Sequence, residues 1–66
     1  MSVGKVIEIT ASSTKGFEDA IDAGIRRAAK TVSDIQGAWI QDQEIVVKGG
    51  KVVEYRVRMK VTFLLK

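Results

Sequence analysis

Residues 52–65, VVEYRVRMKVTFLL, decide the fold of this 66-residue chain. Apolar and polar side chains alternate along the stretch, which is the period-two pattern of a β-strand with one buried face. At about 3.3 Å per residue such a strand is near 45 Å long, so we expect it at the centre of a sheet. Its apolar face would consist of Val53, Tyr55, Val57, Met59, Val61, Phe63 and Leu65.

The preceding segment, Ala38–Val47, predicts the hairpin partner of this strand, joined to it through the sequence KGGK at residues 48–51. The two glycines supply the positive φ angles of a tight hairpin turn. A simple two-residue turn would place Asp42 and Glu44 on the apolar face of the last strand. A shift of one residue would instead place both beside the arginines of its polar face, so we expect a β-bulge or a longer loop in this hairpin.

The N-terminal half of the chain predicts one strand followed by one helix. Val3–Ala11 mostly alternates as a half-buried strand does, and Ser13 or Thr14 is the expected N-cap of the helix. Apolar residues then recur at intervals of three and four over Lys15–Val32, which predicts an α-helix with one apolar stripe. Gly24 lies on this stripe, and a glycine in a helix interior indicates close approach of the helix to the sheet.

These elements predict an α+β fold with the order β-α-β-β. A right-handed crossover would lay the helix on the apolar face, giving a three-stranded antiparallel sheet curled around one helix. We expect one domain over residues 1–66. Because one helix covers too little of so long a sheet, the uncovered apolar surface and open edges indicate association with further copies of the chain.

The composition excludes several classes of function. The chain has no Cys and no His, which removes thiol and imidazole nucleophiles, imidazole bases and the usual zinc sites, so we expect a binding protein and not an enzyme. No apolar run approaches a membrane span, and the N-terminus lacks the apolar core of a signal peptide. We therefore expect a cytoplasmic protein with no membrane partner. The net charge of +3 is typical of ordinary surface charge on a small domain.

Three segments in this order, KVIEITASS, FEDAIDAGIRRAAKTV and EYRVRMKVTFLL, resemble the dodecin family over nearly the whole chain. The resemblance implies a small β-α-β-β protomer that assembles into a hollow homododecamer. It also implies binding and storage of a flavin, riboflavin or FMN, without catalytic turnover.

The resemblance also implies where a flavin would bind, and the chain departs from the family there. Flavin-binding dodecins place a stacking Trp early on the second strand and a flavin-bonding Gln on the third, and these positions hold Gly37 and Arg56 here. Trp39 lies two residues beyond Gly37, so it would project from the same face of a regular strand. We expect the flavin contacts to be Trp39, Arg56, Gly37 and Gln41.

Other interpretations of these residues stay open. Trp39 would equally suit packing between subunits, and Arg56 a salt bridge to Asp42 or Glu44 across the hairpin. A second hypothesis is a dodecin-like assembly that has lost flavin binding and holds a hard cation such as calcium through Glu8, Asp42 and Glu44. No metal site is expected within a single protomer.

A third hypothesis is nucleic-acid binding along the basic stripe of the last strand, formed by Arg56, Arg58 and Lys60. No aromatic pair of the kind that stacks on bases interrupts this stripe, and acids of the neighbouring strand would neutralise it. We therefore expect no nucleic-acid partner.

Overall fold

The computed structural model describes residues 2–65 and has the element order that the sequence predicts. Strand β1 spans Gly4–Ser13, helix α1 spans Phe17–Ala28, strand β2 spans Ile35–Lys48 and strand β3 spans Lys51–Leu64. The sheet order is β1-β3-β2, and both outer strands run antiparallel to β3. The α+β class and the central position of the last strand are confirmed.

The core lies between α1 and the side of the sheet formed by β1 and β3, which we call the helix face. Val57, Met59 and Val61 of β3 are at most 1% exposed, and Ala20 of α1 is fully buried against them. The alternation of β3 therefore separates core from solvent as predicted. Further apolar side chains are partly buried against this cluster, namely Ile9, Ala11, Phe17, Ile21 and Ile25.

The other side of the sheet, the open face, carries the alternate residues of β3 and their partners on the outer strands. Arg56, Arg58 and Lys60 are all exposed there. The strands of this sheet reach beyond the helix, since a 12-residue helix is about 18 Å long and the molecule measures 52 × 19 × 13 Å. Among residues 2–65, no helix is long and apolar enough to cross a membrane.

The hairpin contains the predicted one-residue shift. Gly49 and Gly50 form a two-residue turn with φ of 59° and 74°, which carries the positive φ values of a type I′ turn. Val53 then has no partner, because the pairing changes from Val47 opposite Val52 to Val46 opposite Glu54. Two further shifts leave residues of β2 unpaired, Gln41 and Gln36.

The predicted end of the first strand and the predicted start of the helix are both wrong. β1 continues through Ser13, which pairs with Tyr55, so the run of hydroxyl residues does not end it. The N-cap is Gly16, and neither Ser13 nor Thr14 caps the helix. The Ser13 hydroxyl instead donates to Asp19 Oδ2 at 2.6 Å and accepts from the Lys15 backbone N–H at 2.9 Å. Ser13 is held in the sheet by its pairing with Tyr55, and its hydroxyl bonds the side chain of Asp19 in the first helical turn and no backbone N–H of that turn.

The other end of the helix is also shorter than predicted. α1 ends at Ala28, four residues before Val32. Beyond it the backbone N–H groups of Lys30 and Thr31 bond to carbonyls three residues back, which tightens the chain into a turn. β2 then begins at Ile35, three residues before the predicted start at Ala38.

Candidate functional site

Two arginines of β3 hold a ladder of ion pairs across the open face. Arg56 Nε lies 3.2 Å from Glu54 Oε1, and Arg56 Nη1 lies 3.9 Å from Glu44 Oε1. Arg58 Nε lies 3.7 Å from Asp42 Oδ1 on the neighbouring strand. These contacts confirm the expected salt bridge of Arg56 to the hairpin partner. They also place carboxylates beside Arg56 and Arg58, two members of the basic stripe.

Glu54 is a member of this ladder that the sequence analysis missed. Hydrogen bonds from Arg56 and Ser12 hold the pKa of its carboxyl below its ordinary value, because both stabilise the ionised form. The available signal is the spacing of Glu54 and Arg56, since residues two apart on a strand share a face. A shallow cavity of about 360 Å³ lies over the ladder, bounded on the β1 side by Thr10 and Ser12.

Trp39 projects from the open face on the other outer strand. It pairs with Lys60 of β3, and its side chain is 65% exposed. Gly37 pairs with Thr62, two residues along β3 from Lys60, so Gly37 and Trp39 share one face as predicted. The Thr62 hydroxyl donates to the Gly37 carbonyl oxygen at 3.1 Å, which fixes the strand at this point.

The space beside Trp39 is open because Gly37 has no side chain. A Cβ placed on Gly37 would meet only Thr62 Oγ1, at 4.0 Å. Trp39 thus presents an aromatic ring next to a patch of bare backbone. A flat conjugated ring fits such a surface, because it can stack on the indole without meeting another side chain.

The four expected flavin contacts do not form one cluster within the protomer. Arg56 lies four residues from Lys60, the partner of Trp39, which is about 13 Å along β3. Gln41 is an unpaired residue where the register shifts between Ile40 and Asp42. Trp39 and Gly37 form one location, and Arg56 belongs to the ion-pair ladder.

The acids of the calcium hypothesis are likewise separated or engaged. Asp42 and Glu44 each face an arginine, and Glu8 lies opposite Lys60. Within the described part of the chain, no group of three metal-ligating side chains is close enough to hold an ion. A cation held by these acids would need ligands from several protomers.

Comparison with known proteins gives consistent matches. The Dodecin family model matches residues 3–66. The calcium dodecin of Mycobacterium tuberculosis is 33% identical over 66 residues, covering 100% of this chain and 93% of that protein. Its crystal structure, described as that of a calcium-chelating antigen with a calcium-binding site, is 35% identical with a TM-score of 0.84 and coverage of 98% and 93%. An arginine-to-alanine variant of the Thermus thermophilus dodecin is 30% identical, with a TM-score of 0.94 and coverage of 100% and 98%.

Proposed function

Since the chain belongs to the dodecin family, we propose that it is an oligomeric protein that binds a flavin, riboflavin or FMN, against Trp39. Dodecins are small binding and storage proteins and not enzymes. The exposed indole of Trp39 beside the bare backbone of Gly37 carries this proposal. An isoalloxazine ring would stack on the indole and extend over the glycine.

The assembly in this proposal is the homododecamer of the family. Support comes from apolar side chains of the β2–β3 hairpin that α1 leaves uncovered. Their exposed fractions range from 38% to 53%, and they lie on a sheet with open edges. Burial of these side chains between protomers would cover the apolar surface that one helix is too short to cover. They are Ile40, Ile45, Val47, Val52 and Val53.

Arg56 is a secondary contact in this proposal. Arg56 is about 13 Å along β3 from Lys60, the partner of Trp39, and in this proposal it reaches the flavin from a neighbouring copy. Glu44 and Glu54 hold the guanidinium in place, and its N–H groups would donate to flavin carbonyls or to the FMN phosphate. Gln41 lies next to the ring site in sequence and would contribute an amide.

The test is quenching of riboflavin and FMN fluorescence by the purified assembly, with its mass measured by light scattering. We expect a mass near twelve times 7.2 kDa and quenching by the wild type. Trp39→Ala should weaken binding about tenfold, as loss of a stacking contact of about 1.5 kcal/mol predicts. Trp39→Phe, which keeps a ring, is the matched control and should retain most of the affinity. Unchanged fluorescence with a correctly assembled wild type would refute flavin binding.

Calcium binding is the second candidate, and the similarity to the calcium dodecin of Mycobacterium tuberculosis favours it. Asp42 and Glu44 would have to leave their arginines or combine with copies from other protomers. Calorimetric titration of chelator-treated protein with calcium separates the two functions. Calcium binding in place of flavin binding would be supported by two results together. The wild type would give heat with calcium that Asp42→Asn does not give, and the wild type would leave flavin fluorescence unchanged.

A further inference from the structure

A second cavity lies on the other side of the sheet, between α1 and the free edge of β1. It is an open groove of about 380 Å³, within the size range of small-molecule sites. Its wall is mainly apolar and comes from one side of the helix and from β1, which also contributes the hydroxyl residues Thr10 and Ser12. The apolar residues that line it include Ile7, Ile9, Ala11, Ala23 and Ala28.

Among residues 2–65, Arg27 is the one charged residue that lines this groove. Its side chain makes no hydrogen bond or ion pair to any described residue, in contrast to Arg26, which is paired with Asp22. Arg27 lies four residues after Ala23 and four before Thr31, so the three share one side of the chain as it leaves the helix. The groove therefore joins an apolar wall to a single available guanidinium.

The surroundings of Arg27 favour an anion over a cation. Within the part of the chain that the structure describes, no acidic side chain lines the groove. The Ala28 carbonyl at the end of the helix accepts from the backbone N–H groups of Thr31 and Val32 and from the Thr31 hydroxyl at 3.2 Å, so this carbonyl oxygen is paired and does not face the groove as a free acceptor. A carboxylate accepts two parallel hydrogen bonds from a guanidinium, and an apolar tail on it would lie along the isoleucines of β1.

From this charge complementarity we propose that the groove between α1 and β1 binds a small amphipathic carboxylate. Arg27 holds the carboxylate, and the apolar wall holds the tail. The groove borders the helix face, whereas the indole of Trp39 projects from the open face. The two sites are therefore separate, and failure of one leaves the other intact.

Octanoate is the probe, and calorimetric titration of the wild-type assembly measures its binding. Octanol, which has the same tail and no charge, is the ligand control and should bind at least tenfold more weakly. Arg27→Gln should reduce octanoate affinity by roughly tenfold or more, as loss of a charge-assisted hydrogen-bonded pair predicts. Arg26→Gln is the matched protein control, because it removes a neighbouring arginine outside the groove, and it should leave the affinity unchanged.

A second variant tests the apolar wall. Ala23→Leu adds a side chain on an exposed helical position that faces the groove, so it should block octanoate without disturbing the buried core. Riboflavin should not displace octanoate from the wild type. Absence of octanoate binding to the wild type, equal binding of octanol, or an equal loss in Arg26→Gln would each overturn the proposal.

Discussion

β1 and β2 both pair with β3, yet they differ in register and in what covers them. β1 forms ten consecutive pairs with β3 without a shift, and α1 packs over its apolar side. The pairing of β2 with β3 shifts three times, and most of its side chains are exposed. The central strand is thus completed on one side by a regular, covered strand and on the other by an irregular, uncovered one.

The difference shows where packing against the helix fixes the register of a strand and where it does not. On β1 a slip of one residue would turn Ile9 and Ala11 away from the helix, so the core holds the register. On β2 the shift at Val53 turns Asp42 and Glu44 to the open face, where the arginines of β3 meet them. The register shifts of β2 therefore determine which side chains reach the candidate site.

The largest expected effect concerns two residues that lie opposite each other on β3 and β2, one of them buried under α1 and the other exposed. Met59 is fully buried under α1, and its partner on β2, Ile40, is 42% exposed on the same face. Met59→Ala should lower the free energy of unfolding by about 2–5 kcal/mol, because it leaves a cavity in a closed core. Ile40→Ala should cost much less within the protomer. Chemical denaturation at several protein concentrations measures both.

The concentration series separates packing within the protomer from packing between copies. The stability of a self-associating chain depends on its concentration, so contacts between copies weaken on dilution. The cost of Ile40→Ala should shrink as the protein is diluted, and that of Met59→Ala should persist. Equal costs at every concentration would contradict the contrast between the two outer strands.

An intermediate effect is expected where α1 approaches β1. A Cβ on Gly24 would lie 2.6 Å from Met59 Cε and 2.9 Å from Ala11 Cβ. The methionine end can move aside, but the Ala11 Cβ is fixed to the backbone. Overpacking in Gly24→Ala should therefore lower the free energy of unfolding by about 1–3 kcal/mol. The better helix propensity of alanine should offset about 1 kcal/mol of this loss.

A double variant tests this close approach directly. Ala11→Gly removes the fixed methyl, so it should be less harmful in the presence of Gly24→Ala than alone. Thermal unfolding of the four proteins in the cycle gives the coupling between the two positions. Additive effects would mean that the helix does not meet β1 at this point.

Local patterns were sufficient for the covered part of the molecule. Alternation over residues 53–65 predicted the central strand, and Gly24 on the apolar stripe predicted close packing of the helix. The opposite charges across the hairpin predicted the shift that brings Asp42 and Glu44 to the arginines. The N-cap was wrong because pairing of Ser13 with Tyr55 depends on β3, which lies about 40 residues further along the chain.

The candidate site was predictable only in part for the same reason. The shared face of Gly37 and Trp39 depends on local alternation, and it is confirmed. The separation of Trp39 from Arg56 depends on the register between two strands, including the shift at Gln41. That shift follows from three-dimensional pairing, and a single-strand pattern does not contain it.

The smallest expected effect concerns Glu54, on the hairpin side of the comparison. Its pKa is lowered below 4.5 by hydrogen bonds from Arg56 and Ser12. A lowered carboxyl pKa stabilises the folded state above the unfolded pKa, and this stabilisation is lost as the pH falls through the folded value. Glu54→Gln should therefore be slightly less stable than the wild type at neutral pH, and the two should converge in acid.

Denaturation of both proteins from neutral pH down to below 4.5 measures this convergence. Arg56→Gln removes the largest cause of the lowered pKa, so in that background the effect of Glu54→Gln should lose most of its pH dependence. A difference that stays constant into acid would mean that Glu54 acts through packing and not through its charge. In that case the ion-pair ladder would contribute no electrostatic stabilisation through Glu54. The two outer strands would then differ in packing and register, and not in the charge of this residue.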